Sequence, residues 1–329
     1  MRKEAEMKAL IIDDFSSTPK LVRNYAIPET DPKYSSLIKV LAVPVENIDK
    51  LVASGKHYSS KYWHPSFPSV PGASAIGQKV DTDELVYLPA MSMRPLNGSM
   101  AEYTVAQPNM LIELPSKINV NTAVASFSSA LTSLLPLKYD INIKPEDSII
   151  INGATGFAGK LAIQVARQLS VKNIIAAGRN QTKLEHSLAL GANQLLDISQ
   201  TKINMDHIKI TGNLVILDYL WGMPAEKLLK NLIPDSPANH RQTTIIEIGA
   251  ATGQNDITLP ATALRTSGVQ LRGMMTTKSL ENRKKAAKLL WNWLINEKIH
   301  GDISIISPET AAKNWSNTSQ NGIRSAIAF

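Results

Sequence analysis

The chain lacks cysteine altogether, is poor in aromatic residues (5%), and has no uninterrupted apolar run of the length a membrane span requires, about 18 residues. Without cysteine there is no disulfide, no thiolate nucleophile and no thiolate-ligated metal. Histidines at 57, 64, 186, 207, 240 and 300 show no close metal-binding spacing, and HExxH is absent. No metal site is therefore expected. The start, MRKEAEMKALII, is charged and then enters a short apolar stretch; it lacks the long apolar core of a secretory signal, and a cytoplasmic protein is expected. Acidic residues are in the minority, 28 against 35 basic, for a net charge of +7. Such an excess favours an anionic partner, either nucleic acid or a phosphate-bearing cofactor. The basic residues are scattered, and the densest group, Arg283 to Lys285 with Lys288, reads as the solvated face of an amphipathic helix. With no basic patch interleaved with aromatics, a small molecule rather than nucleic acid or a membrane is the expected partner.

At 329 residues two domains are expected. Residues 7–120 carry short apolar runs (MKALII, SSLIKVLAV, LVYL, AEYTVA) broken repeatedly by proline, which predicts an irregular, β-rich domain. ENIDKLVAS at 46–54 predicts a helix closed by Gly55. From about 121 the texture changes. Compact β-branched runs at 148–152, 173–177, 194–197, 214–219, 244–249 and 269–273 alternate with amphipathic stretches such as KLAIQVARQL. Fully apolar strands alternating with helices predict a parallel sheet covered on both faces, an α/β doubly wound fold; six strands are the complement of a Rossmann domain. A helix over about 280–297 precedes a tail too small to stand alone. The expected division is thus 1–120, 121–273 for an inserted nucleotide-binding domain, and 274–329 returning to the first.

The segment Gly153-Ala154-Thr155-Gly156-Phe157-Ala158-Gly159 lies between the first of these strands and KLAIQVARQL. A tight strand-to-helix turn of this kind brings backbone N–H groups against a pyrophosphate, and the helix N-terminus adds partial positive charge. Glycine spacing alone is weak evidence; its place between strand and amphipathic helix makes it a dinucleotide-binding turn. The second strand ends in Gly178-Arg179-Asn180 with no acidic residue, and Lys183 follows. NAD sites place a carboxylate there for the ribose hydroxyl, whereas a guanidinium pairs with a 2′-phosphate. NADPH is the expected cofactor, with Arg179 to pair with its 2′-phosphate or stack on its adenine and Lys183 to add a second cation.

With Val70-Pro71-Gly72-Ala73-Ser74-Ala75-Ile76-Gly77, Asn97-Gly98-Ser99-Met100-Ala101-Glu102-Tyr103, the GATGFAG turn and Ala177-Gly178-Arg179-Asn180, the chain resembles the zinc-free quinone oxidoreductase branch of the medium-chain dehydrogenase/reductase superfamily over nearly its whole length. That resemblance implies a GroES-like catalytic domain with the Rossmann domain inserted, and a homodimer joined through the VQLRGMM strand at 269–275. Where zinc-dependent members carry Gly-His-Glu and an upstream cysteine, this chain has Gly72-Ala73-Ser74 and Glu46, so a substrate needing no metal activation, a quinone or α,β-unsaturated carbonyl, is implied. It also implies cofactor contacts from Thr132, from Leu217, Asp218 and Tyr219 after the fourth strand, and from Gly249 and Ala250 after the fifth. Trp221 either covers the nicotinamide or packs as core, and Met274-Met275 reads as hydrophobic filler. On the substrate side, Tyr58 of Ser54-Gly55-Lys56-His57-Tyr58 is the candidate to hold or protonate a substrate oxygen, and Asn47 a weaker one, since the family's Asn-Pro is not intact here. Asp49 reads as serving its helix, and His57 as a further proton relay. Two other readings stay open: a zinc-free ketone or aldehyde reductase, and a non-catalytic NADPH-binding redox sensor.

Overall fold

The computed structural model describes residues 6–31, 35–93, 95–234, 236, 241–274 and 279–329, with the side chain of residue 267 excepted. Pro32, His240 and Met275 lie outside the described residues. The chain divides into two compact units, Met1–Phe127 with Trp291–Phe329, and Ser128–Leu290. Both boundaries fall inside helices, later in the chain than the changes of texture at 120/121 and 273/274. A helix has one continuous composition, and the division follows what each part of it packs on.

The first unit opens with β1 (Glu6–Ile11) and β2 (Lys20–Ala26), an antiparallel pair. β3 (Ser36–Pro44) follows, then α1 (Asn47–Ala53), α2 (Ser60–Trp63), β4 (Ala75–Lys79), β5 (Leu85–Leu88), β6 (Tyr103–Ala106) and β7 (Ile112–Glu113). β3 is the hub: it pairs antiparallel with β4 along one edge and with β6 along the other. α1 sits within the predicted span. Asp49, at its third position, accepts the N–H of Glu46 at 2.7 Å, one half of a capping box, and Gly55 lies just past its end with φ +73°. The core of this unit gathers Leu10, Ile12, Ile38, Val43, Leu88 and Met100.

α3 (Val120–Leu135) leads into the second unit. Val120–Ile141 has the length and apolarity of a membrane span, yet 67% of its most apolar window is buried within the protein, as befits a core helix. Then come β8 (Ser148–Asn152), α4 (Phe157–Gln168), β9 (Asn173–Gly178), α5 (Gln181–Leu190), β10 (Gln194–Asp197), β11 (Leu214–Asp218), α6 (Met223–Asn231), β12 (Thr243–Glu247), α7 (Ala261–Ser267), β13 (Val269–Gly273) and α8 (Leu280–Ile295). The six strands form one sheet in the order β10-β9-β8-β11-β12-β13, parallel at each junction. This is the doubly wound dinucleotide-binding order, whose connections reverse direction between β8 and β11. The expected α/β class is borne out. Ile149, Ile150 and Ile151 of β8 are wholly buried, each contributing on the order of 1.5–3 kcal/mol by leaving water. That burial on both faces is why these strands read as unbroken apolar runs.

The chain then returns to the first unit through β14 (Ile303–Ile306), α9 (Pro308–Lys313) and β15 (Arg324–Ala328); β15 pairs with β14 and antiparallel with the end of β3.

Candidate functional site

In the second unit, the expected cofactor residues gather at the carboxyl ends of β8, β9, β11 and β12. β8 ends at Asn152 and turns at Gly153, whose φ of +97° suits glycine alone. The N–H groups of Gly153 and Ala154 both donate to Ala177 O, at 3.1 and 3.0 Å, tying the turn to β9. At Gly159 a Cβ would lie 2.3 Å from Gly153 O and 2.8 Å from Ala154 Cα, so glycine is required for the helix to pass the turn. Gly156 is different. A Cβ there meets nothing nearer than Gly153 O at 3.4 Å, and its φ of −77° is open to any residue. It is the N-cap of α4, a place where Ser, Thr or Asp would supply a side-chain acceptor, and glycine supplies none. The fold does not need glycine at 156, and what glycine leaves there is an exposed backbone edge at a helix N-terminus whose N-cap residue has no side chain. That is the cradle an added Cβ would fill if a diphosphate lay against it. Thr155 and Ala158 flank this edge half-exposed, while Ala154 and Phe157 are buried.

Gly178 ends β9 close to Thr155, whose Cγ2 would stand 3.1 Å from an added Cβ. Arg179 beyond it is exposed, as are Asn180 and Lys183. Asn180 also serves the fold directly, since as N-cap of α5 its Oδ1 accepts the Lys183 N–H at 2.9 Å. The residues present fit an NADP-type cofactor, with an open glycine edge for the diphosphate and a guanidinium and an ammonium in place of the carboxylate an NAD site carries.

On the other side of the switch point, Leu217 is wholly enclosed in the sheet, so its side chain offers nothing to a ligand. Asp218 is likewise buried and turned inward. Its Oδ1 accepts from Asn152 Nδ2 (2.8 Å), Leu220 N (3.0 Å) and Trp221 N (3.1 Å), which fastens the loop after β11. Among the described residues Asp218 Oδ2 and Asn152 Oδ1 have no partner, and burial holds the Asp218 carboxyl above the usual carboxylate range. The expected contact from Asp218 is corrected accordingly: it is a bracket for the loop. Tyr219 is half-buried, its phenol pushed up to about 12 by burial, and its hydroxyl lies 3.5 Å from Thr132 Oγ1. Thr132 also donates to Ser129 O at 2.7 Å within its helix. Gly249 and Ala250 are half-exposed beside this loop, and Ala251 N donates to Tyr219 O at 3.1 Å. Trp221, with φ +51°, donates its indole N–H to Asn255 O at 3.0 Å, which assigns it to the loop's own packing.

The first unit holds a cleft of about 450 Å³, counted with its mouth, that includes Ile48, Asp49, Trp63, His64, Val70 and Met93 in its lining. α1 and the end of α2 form one side. The other is stitched by backbone bonds, Leu96 N to Trp63 O (2.9 Å), Val70 N to Leu96 O (3.1 Å) and Gly98 N to Val70 O (3.1 Å). Asp49 joins the sides: its Oδ1 accepts from Ala73 N at 2.7 Å. Burial and the nearby Glu46 raise its carboxyl to about 7. Tyr58 and Asn47 are not brought into this cleft. Tyr58 is 90% exposed, its ring 4.4 Å from that of His57, and Asn47 is exposed at the first turn of α1. The sequence missed His64, which the structure buries in the cleft wall with Nδ1 2.5 Å from Ser69 Oγ. Spacing gave no sign of it, because Ser69 is positioned by pairing with Ile12, far away in the chain. Among the described residues no three His, Asp or Glu side chains cluster as a metal site.

No family model matches the chain. It is similar to the quinone oxidoreductase of Lama guanicoe, 27% identical over 236 residues that cover 68% of each protein. It is also 28% identical over 216 residues to the chloroplastic NADPH-dependent alkenal/one oxidoreductase of Arabidopsis thaliana, a match covering 60% of this chain and 54% of that one. The quinone oxidoreductase of Thermus thermophilus, solved also with NADPH, superposes with a TM-score of 0.77 at 21% identity, over 98% of this chain and 100% of that one. The chain is thus similar in sequence to quinone oxidoreductases and shares their fold. The matched stretches span from two thirds to about half of these sequence relatives. The glycine turn and the Arg179 end of β9 belong to the second unit, and the apolar cleft to the first.

Proposed function

We propose that the chain is an NADPH-dependent oxidoreductase that reduces a quinone or an α,β-unsaturated carbonyl compound without a metal ion. The observation that carries this reading is Gly156, a glycine the fold does not require, exposed at the N-cap of α4 one strand away from Arg179. The names of the relatives support the substrate class, since one acts as a quinone oxidoreductase and another as an alkenal/one oxidoreductase. NADPH, when bound, supplies hydride to an electron-poor carbon, after which a proton reaches oxygen or the α-carbon.

The chain's own part is to hold and to exclude. The backbone edge at Gly156 and the first turn of α4 bind the diphosphate, while Arg179 and Lys183 bind the 2′-phosphate. Thr132, Tyr219, Gly249 and Ala250 line the way past the ends of β11 and β12. Tyr58 and Asn47 enter as solvent-facing contacts on the first unit rather than as enclosed proton donors. The same reading makes the protein a cytoplasmic homodimer. What supports the dimer is β13, the outer strand of its sheet, exposed from Gln270 to Gly273.

The test is oxidation of NADPH against NADH with 9,10-phenanthrenequinone and a small enone as acceptors. NADPH-dependent turnover of either acceptor is expected. Preference for NADH overturns the role of Arg179, and tight NADPH binding with no turnover on either acceptor turns the reading to a sensor.

A further inference from the structure

We propose that His64 is a neutral N–H donor that anchors the oxygen of an uncharged, flat carbonyl compound in the cleft of the first unit. The proposal deepens the substrate side of the proposed function and rests on it for the quinone and enone class; the donor itself is argued from the cleft alone.

Among the described residues, the lining of the cleft contains no Lys or Arg and two titratable side chains, Asp49 and His64. These side chains offer an anionic ligand no counter-charge and set one carboxyl group against it. Asp49 is engaged already, with one oxygen on Glu46 N and the other on Ala73 N, both at 2.7 Å. Trp63, Val70, Met93 and Leu96 supply aromatic and apolar surface. A site of this composition takes a mostly apolar molecule and orients it by few polar contacts.

The protonation of His64 follows from Ser69. Ser69 is fully buried, and among the described residues its Oγ has one partner, His64 Nδ1 at 2.5 Å. A serine hydroxyl carries one hydrogen, and burying it without an acceptor is costly. It is satisfied when the hydroxyl donates to Nδ1, which places the imidazole proton on Nε2. Burial lowers the His64 pKa to about 4, so the ring is neutral at physiological pH and Nε2–H is a donor without charge. The ring is fixed in place: Phe15 meets it edge-on at 6.3 Å, Phe67 stacks at 6.4 Å, and the His64 N–H bonds to Ser60 O at 2.8 Å. Nε2 makes no hydrogen bond with any described residue. A preorganised donor of this kind discriminates for an acceptor oxygen, because a ligand lacking one covers the N–H and leaves it unpaired.

The experiment uses the full chain labelled with ¹⁵N-histidine and 1,4-naphthoquinone as probe; the absence of cysteine removes thiol addition as a confounding reaction. Two-bond ¹H–¹⁵N correlations, assigned with His64→Gln, report the tautomer. The expected result is a neutral Nε2–H ring that does not titrate between pH 5.5 and 8 and whose Nε2 signal moves when the quinone is added. His64→Phe, which keeps a flat ring but removes the donor, is expected to weaken naphthoquinone binding about tenfold, as loss of one buried hydrogen bond would; 1,4-dihydronaphthalene, with the same rings and no acceptor, is expected to bind both proteins equally weakly. An Nδ1–H tautomer, or an Nε2 signal unmoved at saturating quinone while NADPH-dependent turnover continues, overturns the proposal and leaves the reductase reading standing. A shifted Nε2 with no turnover on any acceptor does the reverse.

Discussion

In the second unit the candidate ligand contacts are mostly backbone groups at the ends of parallel strands; in the first they are side chains brought from α1, α2 and two loops that meet only through long-range pairing. The difference decides how each kind of site is written in a sequence. A backbone site needs glycine at fixed offsets between a strand and a helix, so Gly153, Gly156 and Gly159 announce it locally. A side-chain cleft needs only that the chain deliver Asp49, His64 and Ser69 to one place, and no offset between them records that. The comparison also separates two uses of glycine within a single turn, and this gives the largest effect to test. Gly159→Ala places a Cβ 2.3 Å from Gly153 O, and overpacking of that severity is expected to cost about 3 kcal/mol in denaturant unfolding. Gly156→Ala meets no such contact; its cost should stay at or below about 1 kcal/mol, the ordinary penalty of Ala at an N-cap, while NADPH affinity falls at least about tenfold. Equal destabilisation by both would mean that Gly156 serves the fold and carries no argument for a ligand.

Next in size is the cofactor preference. Arg179→Ala removes a charge-assisted contact, on the order of 1.5–3 kcal/mol, so NADPH binding should weaken about ten- to a hundredfold with NADH binding unchanged. Equal loss for both cofactors would place Arg179 on the adenine or the diphosphate instead.

The two units also contrast in how far they were legible. The strands of the second unit could be located because β8, β9 and β11 are buried on both faces and show as unbroken β-branched runs. In the first unit β2, β7 and β15 escaped notice: β2 has no buried residue, β7 has two residues, and β15 owes its place to β3, some 280 positions earlier. Leu217 and Asp218 were expected at the cofactor by position after β11, but a strand end also has to anchor its own loop, and Asp218 does that. Tyr58 was placed by resemblance, which supplies a position in the chain and says nothing of burial. The contrast between an exposed and an enclosed donor can be broken by one pair of variants. Tyr58→Phe is expected to change turnover by no more than about threefold, since a hydroxyl in open solvent is not preorganised; His64→Phe should raise the KM for quinone about tenfold. A hundredfold loss in Tyr58→Phe, the scale of a missing general acid, would restore Tyr58 and demote His64.

The smallest expected effect is also the most specific to the cleft, because its two titratable groups oppose each other. The Asp49 carboxyl is raised in the fold, from 3.8 to about 7, so the folded chain binds its proton more tightly than the unfolded one; stability from this group is present below pH 4 and is lost as pH rises toward 7. His64 is lowered, from 6.5 to about 4, so the folded chain resists protonation there; stability from this group is present above pH 6.5 and is lost as pH falls toward 4. Between pH 4 and 6.5 the two slopes have opposite signs and largely cancel, and wild-type thermal stability should vary little across that window on their account. Removing either group uncovers the other. In His64→Phe, stability should fall steadily as pH rises from 4 to 7, and in Asp49→Asn it should rise over the same range, on a lower baseline because an amide accepts through one oxygen where Asp49 uses two. Thermal unfolding at half-unit steps of pH reads both slopes. Two variants with the same slope would show that one of these groups is not held in the protonation state its burial imposes, and if that group is His64, the neutral donor in the cleft goes with it.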